Sequence, residues 1–411
     1  MPKMKLSDIG SLSRGKSKHR PRNDKILYGG KYPFVQTSDI KNANHILQTY
    51  EQTYNEIGLK QSKLWSKNTI CITIAANIAD SAILGFDACF PDSVIGLTVN
   101  DKIANYHYVE YLLQYYKRII QNQSNGTSQE NINLETFEQV YFDIPSLDIQ
   151  NDISNILYSI DKKIELNNKI NSELEHFAKT LYEYWFVQFD FPDENERPYK
   201  SSGGAMVYNE VLKRRIPANF EVIKLKDICE VKSGYPFSSE DYDNNGEFKL
   251  ITIKNVQDNY ISSDTDNNIG NIPDNMPDYC LLKEGNILLS LTGNVGRIGI
   301  SFEDKLLLNQ RVGLLKLKNI YYHSFIYLTF LSKYFKDTLE KISTGSNQKN
   351  LSPVETEKIP IIYSKTVLEQ FEILTKPIID KIINNYKENK QLTQLRDFLL
   401  PMLMNGQVTI Q

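Results

Sequence analysis

The sequence lacks a run of eighteen apolar residues anywhere in its 411 positions, and its Met-Pro-Lys-Met start has no apolar leader region. A membrane span and a secretory signal are therefore not expected. Cysteine is sparse, and Cys71, Cys89, Cys229 and Cys280 are isolated, with no CxxC pair. That usage fits a reducing cytoplasm and argues against structural zinc. His19, His45, His107, His176 and His323 show neither HxxxH nor HExxH spacing, which removes the common metalloenzyme patterns. There is no G-x-x-x-x-G-K-S/T loop for nucleotide phosphates. No Pro-Pro pair occurs, so the Asn/Asp-Pro-Pro-aromatic quartet of an amino-methyltransferase is absent too. Pro277-Asp278 with Glu303-Asp304-Lys305 fits a metal-dependent nuclease only loosely, because both pieces are common. An excess of one charge is also missing: the net charge is −3, which leaves room for a basic face on an otherwise acidic chain. No catalytic constellation and no bound cofactor are expected.

What the chain does have is helical periodicity on a long scale. Over residues 147–192, Ile153, Ile156, Ile160, Ile170, Leu174, Phe177 and Leu181 keep a 3-then-4 spacing, with Lys163 and Asn167 in the two turns between. This predicts one long coiled-coil-like helix with a polar interruption, closed by the aromatic run from Trp185 to Pro192. Forty such residues would span roughly 60 Å, which suits a spacer. A second seam follows near the end, through Leu368, Phe371, Leu374, Ile378 and Ile382. It resumes at Leu392, Leu395, Leu399 and Met402, and Gly406 is its expected stop. Two such seams can bury each other as an antiparallel pair.

The globular parts repeat. Lys5-Leu6-Ser7-Asp8-Ile9 returns as Lys224-Leu225-Lys226-Asp227-Ile228, 219 positions on, and Gly15 falls on Gly234 at the same offset. Residues 30–37 resemble 246–253, and 68–77 resemble 284–294. Gln129 and Asn131 correspond to Gln348 and Asn350. Matches in this order indicate a duplicated plan. Residues 248–253, 286–291 and 312–317 read as strands, and 106–121 and 322–335 as helices. The expected fold class is α+β: two pseudo-symmetric mixed α/β domains joined by a long antiparallel helical pair. Its expected parts are a domain over 1–146, the central helix 147–192, a linker 193–218 marked by Pro198, Gly203, Gly204 and Pro217, a second domain over 219–363, and the distal helix 364–411.

The polar loops carry the functional signal. Residues 13–25 are basic and loop-like, and Arg14, Lys16, Lys18, Arg20 and Arg22 could neutralise phosphates or read guanine. Asn309, Gln310 and Arg311 offer amide and guanidinium groups suited to base edges. Ser346, Asn347, Gln348 and Lys349 lie just ahead of the second long helix, as Gln129 lies ahead of the first. Gly293-Asn294-Val295-Gly296-Arg297-Ile298-Gly299 reads as a turn beside a binding surface, with Asn294 and Arg297 as its polar contributors.

Here the residues reach a resemblance. Tyr182-Glu183-Tyr184-Trp185-Phe186-Val187-Gln188-Phe189-Asp190-Phe191-Pro192, then Lys200-Ser201-Ser202-Gly203-Gly204 and the stretch from Ile216 to Val222, resemble the central conserved region of type I restriction-modification specificity subunits. Thr344-Gly345-Ser346 through Pro360, with a long helix ending Leu399-Leu400-Pro401-Met402-Leu403, is similar to that family's distal region. The resemblance covers essentially the whole chain and is weak inside the globular halves. It implies a non-catalytic, cytoplasmic subunit with two target recognition domains reading an asymmetric bipartite site in double-stranded DNA. It implies that two methyltransferase subunits dock on the helical spacer and that restriction subunits join through the complex. S-adenosylmethionine, ATP and magnesium would then sit on those partners. One departure is that the first domain starts at Met1 with no leading arm, so closure of the pseudo-symmetric ring is expected to rest on the C-terminal residues. The alternative is a non-catalytic coiled-coil adaptor with two protein-binding domains, which would not need basic, amide-rich loops at matching places in both halves.

Overall fold

Apolar runs of four residues set the core of each half. Ile70–Thr73 is buried along its whole length, as are the first four residues of Val94–Val99. Ile287–Ser290 and Val312–Leu317 repeat that pattern. Strands hidden on both faces need no polar alternation, which is why these runs are continuous. In a computed structural model, the described residues are 2–75, 79–125, 140–265, 267–345 and 348–408. They divide into two units, Met1–Glu165 with Lys390–Gln411, and Leu166–Asn389.

The first unit holds a five-stranded sheet in the order Gly10–Arg14, Val94–Val99, Ile70–Thr73, Ser81–Leu84, Ile46–Leu47. All its pairings are antiparallel except the last. A second sheet runs Gln52–Tyr54, Tyr28–Phe34, Ala88–Cys89, Leu64–Trp65. In the second unit the same order returns as Cys229–Ser233, Val312–Leu317, Ile287–Ser290, Ile298–Ile300, Asn259–Tyr260, again with only the last pair parallel. Its smaller sheet is Asn268–Ile269, Phe248–Ile251, Leu306–Leu308, Leu281–Leu282. The duplication read from the sequence is therefore a duplication of strand order and sense. Gly15 and Gly234 show why glycine recurs at that offset. A Cβ on Gly15 would lie 2.3 Å from the Pro91 carbonyl oxygen, and one on Gly234 2.3 Å from that of Asn309.

The central helix is Leu147–Tyr182, extended by a wider turn over Glu183–Val187, and the distal helix is Lys365–Met404. The first unit takes the central helix up to Glu165 and the distal helix from Lys390. There Ile153 and Leu157 share a core with Tyr108, Leu112, Leu403 and Met404. Asp161 and Arg396 pair at 2.8 Å. In the second unit, Tyr182, Trp185 and Phe186 pack with Phe325 and Phe371. Asn167 donates to Glu388 and Asn389, while Asn171 donates to the Ile382 carbonyl and accepts from Asn385. Buried asparagine at a helix seam costs stability and fixes register.

Two expectations need correction. Phe177, Leu374 and Leu395, assigned to the apolar seams, are exposed. The buried line runs instead through Leu157, Ile164, Asn167, Asn171 and Ala178 on the central helix, and through Thr375 and Ile379 on the distal one. Residues 193–218 are also more than a linker. Met206–Asn209 and Arg214–Pro217 form a hairpin, and Ile216 joins Phe220 in the second unit's core. Asp190 anchors the approach by accepting from the Ser201 backbone and hydroxyl.

Candidate nucleic-acid interface

In the first unit, the chain leaves strand Gly10–Arg14 into the basic loop. Exposure alternates along it: Arg14, Lys16, Lys18, Arg20 and Arg22 point to solvent, while Gly15 and Ser17 are buried. The backbone is fastened at several points. Gln61 Oε1 accepts from the Lys18 and His19 amides, Ser62 donates to the Lys16 carbonyl, and Tyr28 donates to that of Arg22. His19 and Asp24 lie 2.9 Å apart, and the hydrogen bonds from His19 and the Ile26 amide hold the Asp24 carboxyl below the usual range. The shape of the loop is therefore set by side-chain bonds to its backbone.

Its cations fall into two groups. Arg22 donates to Asp92 at 2.6 Å, and Arg20 lies 3.8 Å from the same carboxylate while bonding the Ser17 and His19 carbonyls. Among the described residues, Arg14, Lys16 and Lys18 have no carboxylate partner. Beside Arg22 opens a cleft of about 690 Å³ that also takes in Lys25, Gln36, Thr37, Gln52 and Ser93. Gln36 donates to Gln52 across it at 2.7 Å.

In the second unit, three loops lie edge to edge. The Leu291 amide donates to the Arg311 carbonyl, the Leu351 amide to Leu291, and the Gly293 amide to Lys349. Arg311, Asn294, Arg297, Gln348 and Lys349, though spread over residues 294–349, thus share one end of the sheet. A cleft of about 630 Å³ is lined by Asn294, Arg297, Gln348 and Lys349 together with Asp258, Asp337 and Glu340. Lys349 pairs with Glu340, which holds that carboxyl low, so Lys349 is partly neutralised. Arg297 and Arg311 have no carboxylate partner among the described residues. Asn309 and Gln310 sit beside Tyr235, whose carbonyl accepts from the Gln310 amide. Gln129, Ser346 and Asn347 lie outside the described residues.

The two units hold these loops by the same main-chain bonds. Ile74 donates to Ser93 as Leu291 does to Arg311, and Gly15 to Val94 as Gly234 does to Val312. Ser93 therefore stands where Arg311 stands, and Asp92 where Gln310 stands. Gln52 and Asp92 gave no sequence signal, because both sit far along the chain from the loop they join. Gln36 was more accessible, since it falls in the repeated stretch 30–37. In the loose nuclease pattern, Lys305 pairs with Glu247, and Ser263 donates to Glu303. Among the described residues, no cluster of His, Cys, Asp or Glu could hold a metal ion, and no helix is long and apolar enough to cross a membrane.

The model of the type I restriction modification DNA specificity domain matches this chain twice, over residues 1–176 and 217–394. The MjaIX specificity subunit of Methanocaldococcus jannaschii is 27% identical over 439 aligned positions, covering 99% of this chain and 93% of the relative. The HindI specificity subunit of Haemophilus influenzae is 24% identical, covering 72% of this chain and 74% of its own length. The fold is also that of the type I S subunit from M. genitalium, with a TM-score of 0.58 at 18% identity, covering all of this chain and 96% of that one. Paired matches over the two halves, with specificity subunits as full-length relatives, lead to one conclusion: this chain belongs to the type I restriction-modification specificity family and is a non-catalytic, DNA-sequence-recognising subunit.

Proposed function

We propose that this chain reads an asymmetric, bipartite site in double-stranded DNA, one half with each unit, and carries two methyltransferase subunits on its long helices. The observation behind this is that both units use one strand order and one set of loop-holding bonds to present different side chains, Ser93 and Asp92 in one and Arg311 and Gln310 in the other. A split site with unlike halves is what such a pair of surfaces would select. Arg14, Lys16 and Lys18 act as phosphate contacts that set register, while Arg297, Arg311, Asn294 and Gln310 face base edges.

The long helices form one antiparallel pair in this reading. Support comes from the order of contacts inside the second unit, where partners fall from Asn389 to Phe371 as the central helix rises from Asn167 to Phe186. Leu166, Phe177, Tyr184 and Val187 on the central helix and Ile373 and Leu374 on the distal helix leave apolar side chains exposed. Such residues suit docking of partner helices. Restriction subunits join through the methyltransferases, and S-adenosylmethionine, ATP and magnesium reside on those partners.

The test is methylation mapping by long-read sequencing in a host that expresses the chain with its methyltransferase partner. One motif in two unlike parts separated by a fixed gap is expected, and it should vanish when this chain is omitted. A continuous motif, or methylation independent of this chain, refutes the reading.

A further inference from the structure

The cleft of the first unit carries more information than its charge. We propose that it reads two purines of its half-site with two preset side-chain pairs: Arg22, braced by Asp92, takes a guanine, and the Gln36–Gln52 pair takes an adenine. This deepens the proposed function and rests on that reading of the chain.

Arg20 and Arg22 both approach Asp92, but they are not equivalent. Arg20 spends one guanidinium nitrogen on the Ser17 and His19 carbonyls, at 2.6 and 2.9 Å, and lies 3.8 Å from the carboxylate. It fastens the loop. Arg22 gives Asp92 a single bond at 2.6 Å, its carbonyl is pinned by Tyr28, and its side chain lines the open cleft. A guanidinium has five N–H donors in a rigid fork. With one taken by Asp92, four remain, and two of them suffice for guanine O6 and N7, the two acceptors that base offers in the major groove. The brace removes rotamer freedom before DNA arrives, so less is lost on binding. Asp92 is thus a positioning residue.

The amide pair supplies the complementary pattern. Gln36 Nε2 donates to Gln52 Oε1, which leaves Gln36 Oε1 as an acceptor and Gln52 Nε2 as a donor. The free set is one donor and one acceptor whichever amide donates to the other. Adenine requires that combination at N7 and N6, whereas guanine would set an acceptor against its O6. No residue lining the cleft is acidic, and Lys25 adds a cation at its edge, so an approaching phosphate backbone is not repelled. In the second unit, the Asp92 position holds Gln310 and three carboxylates line the neighbouring cleft, so the pattern belongs to one half only.

The experiment uses the complex of the full chain with its methyltransferase partner, selecting from duplexes randomised over each half-site in turn. The wild type should fix a guanine and an adenine in one half-site. Arg22→Ala and Asp92→Ala should each relax the same guanine by about 10- to 100-fold, and the double variant should be no worse than Arg22→Ala. Gln52→Glu keeps the shape but leaves two acceptors, so adenine should give way to cytosine, whose N4 donates. The other half-site should not change, and the melting temperature of these complexes should stay within a few degrees of wild type. The proposal is overturned if Arg22→Ala weakens all sequences alike, as loss of a phosphate contact would, or if Gln52→Glu still selects adenine. Should the wild-type complex fix no sequence in either half, the specificity reading itself fails, a result distinct from the other two.

Discussion

Arg396→Ala tests whether the end of the distal helix is part of the first recognition unit. The Arg396 guanidinium lies 2.8 Å from Asp161 Oδ1 and 3.2 Å from Asn44 Oδ1, and the Tyr111 hydroxyl donates to Asp161 Oδ2 at 2.5 Å. The Asp161 side chain is 6% exposed and that of Arg396 18%. Burial lowers the Arg396 pKa, yet Asp161 and Asp397 outweigh it and raise the net value. Removing one member of a buried pair costs about 3–5 kcal/mol, because the other charge stays behind uncompensated. Tyr111 still satisfies one carboxylate oxygen, so about 3 kcal/mol is the better figure. For a unit of this size that corresponds to a fall of roughly 6–12 °C in melting temperature. Asp161→Ala should cost less, since Arg396 keeps Asn44 and Asp397. The double variant should fall short of the sum by about 1–3 kcal/mol. Calorimetry of the full chain reads these shifts. A change under about 2 °C for Arg396→Ala, or strict additivity, would mean that the pair is a solvated surface contact and the reasoning fails.

Three further outcomes follow from the same geometry. His107 is held down to about 4 by burial, then by His45 and Lys162, so the unfolded chain binds more protons than the folded one between about pH 4 and 6.5. Stability should therefore drop as pH falls through that window, by about 1–2 kcal/mol after allowing for screening at a half-buried ring; pH-dependent melting should lose this slope in His107→Asn, and an unchanged slope assigns it elsewhere. Gly15→Ala must move the 90–91 carbonyls, since its Cβ would lie 2.3 and 2.5 Å from them; a loss of about 1–3 kcal/mol is expected by denaturant melting, and a neutral result would show that the loop root yields freely. Inserting one heptad into both long helices should widen the gap of the methylated motif by about three base pairs, from roughly 10 Å of helix at about 3.4 Å per pair; an unchanged gap would show that helix length is not the ruler.

The long helices were legible because a 3-then-4 spacing over dozens of residues has few other causes, but the seam was read about one residue off. Asn167 and Asn171 occupy buried positions, and a search for apolar side chains steps over them to Ile170 and Phe177. The polar stretch thought to interrupt the seam is in part the seam itself. Residues 193–218 misled for a related reason: proline and glycine announce turns, and here the turns bound a hairpin whose Ile216 is core. The strand plan showed through its repeat offset, since Gly15 and Gly234 meet the same main-chain crowding. The surfaces proposed to face DNA were legible as composition and not as geometry. Arg22 was visible as a cation, but its orientation depends on Asp92, seventy positions away, and no local pattern reports such a pairing.

This division between what is fixed and what varies has a physical origin. The turns that carry Ser93 and Arg311 are held by main-chain bonds, Ile74 to Ser93 and Leu291 to Arg311. Main-chain donors and acceptors are indifferent to the side chain on the residue they hold. A serine in one half and an arginine in the other can therefore occupy one place without disturbing the strands beneath. The helical segments obey the opposite rule. Asp161 with Arg396, and Asn171 with Asn385, are side-chain pairs in which losing one partner removes a bond from a buried group on the other, so substitution there is penalised by about the cost of an unmet buried polar group. On the proposed reading, a specificity subunit uses both rules: a frame that resists change, and turns at its sheet ends whose side chains can be replaced without disturbing that frame.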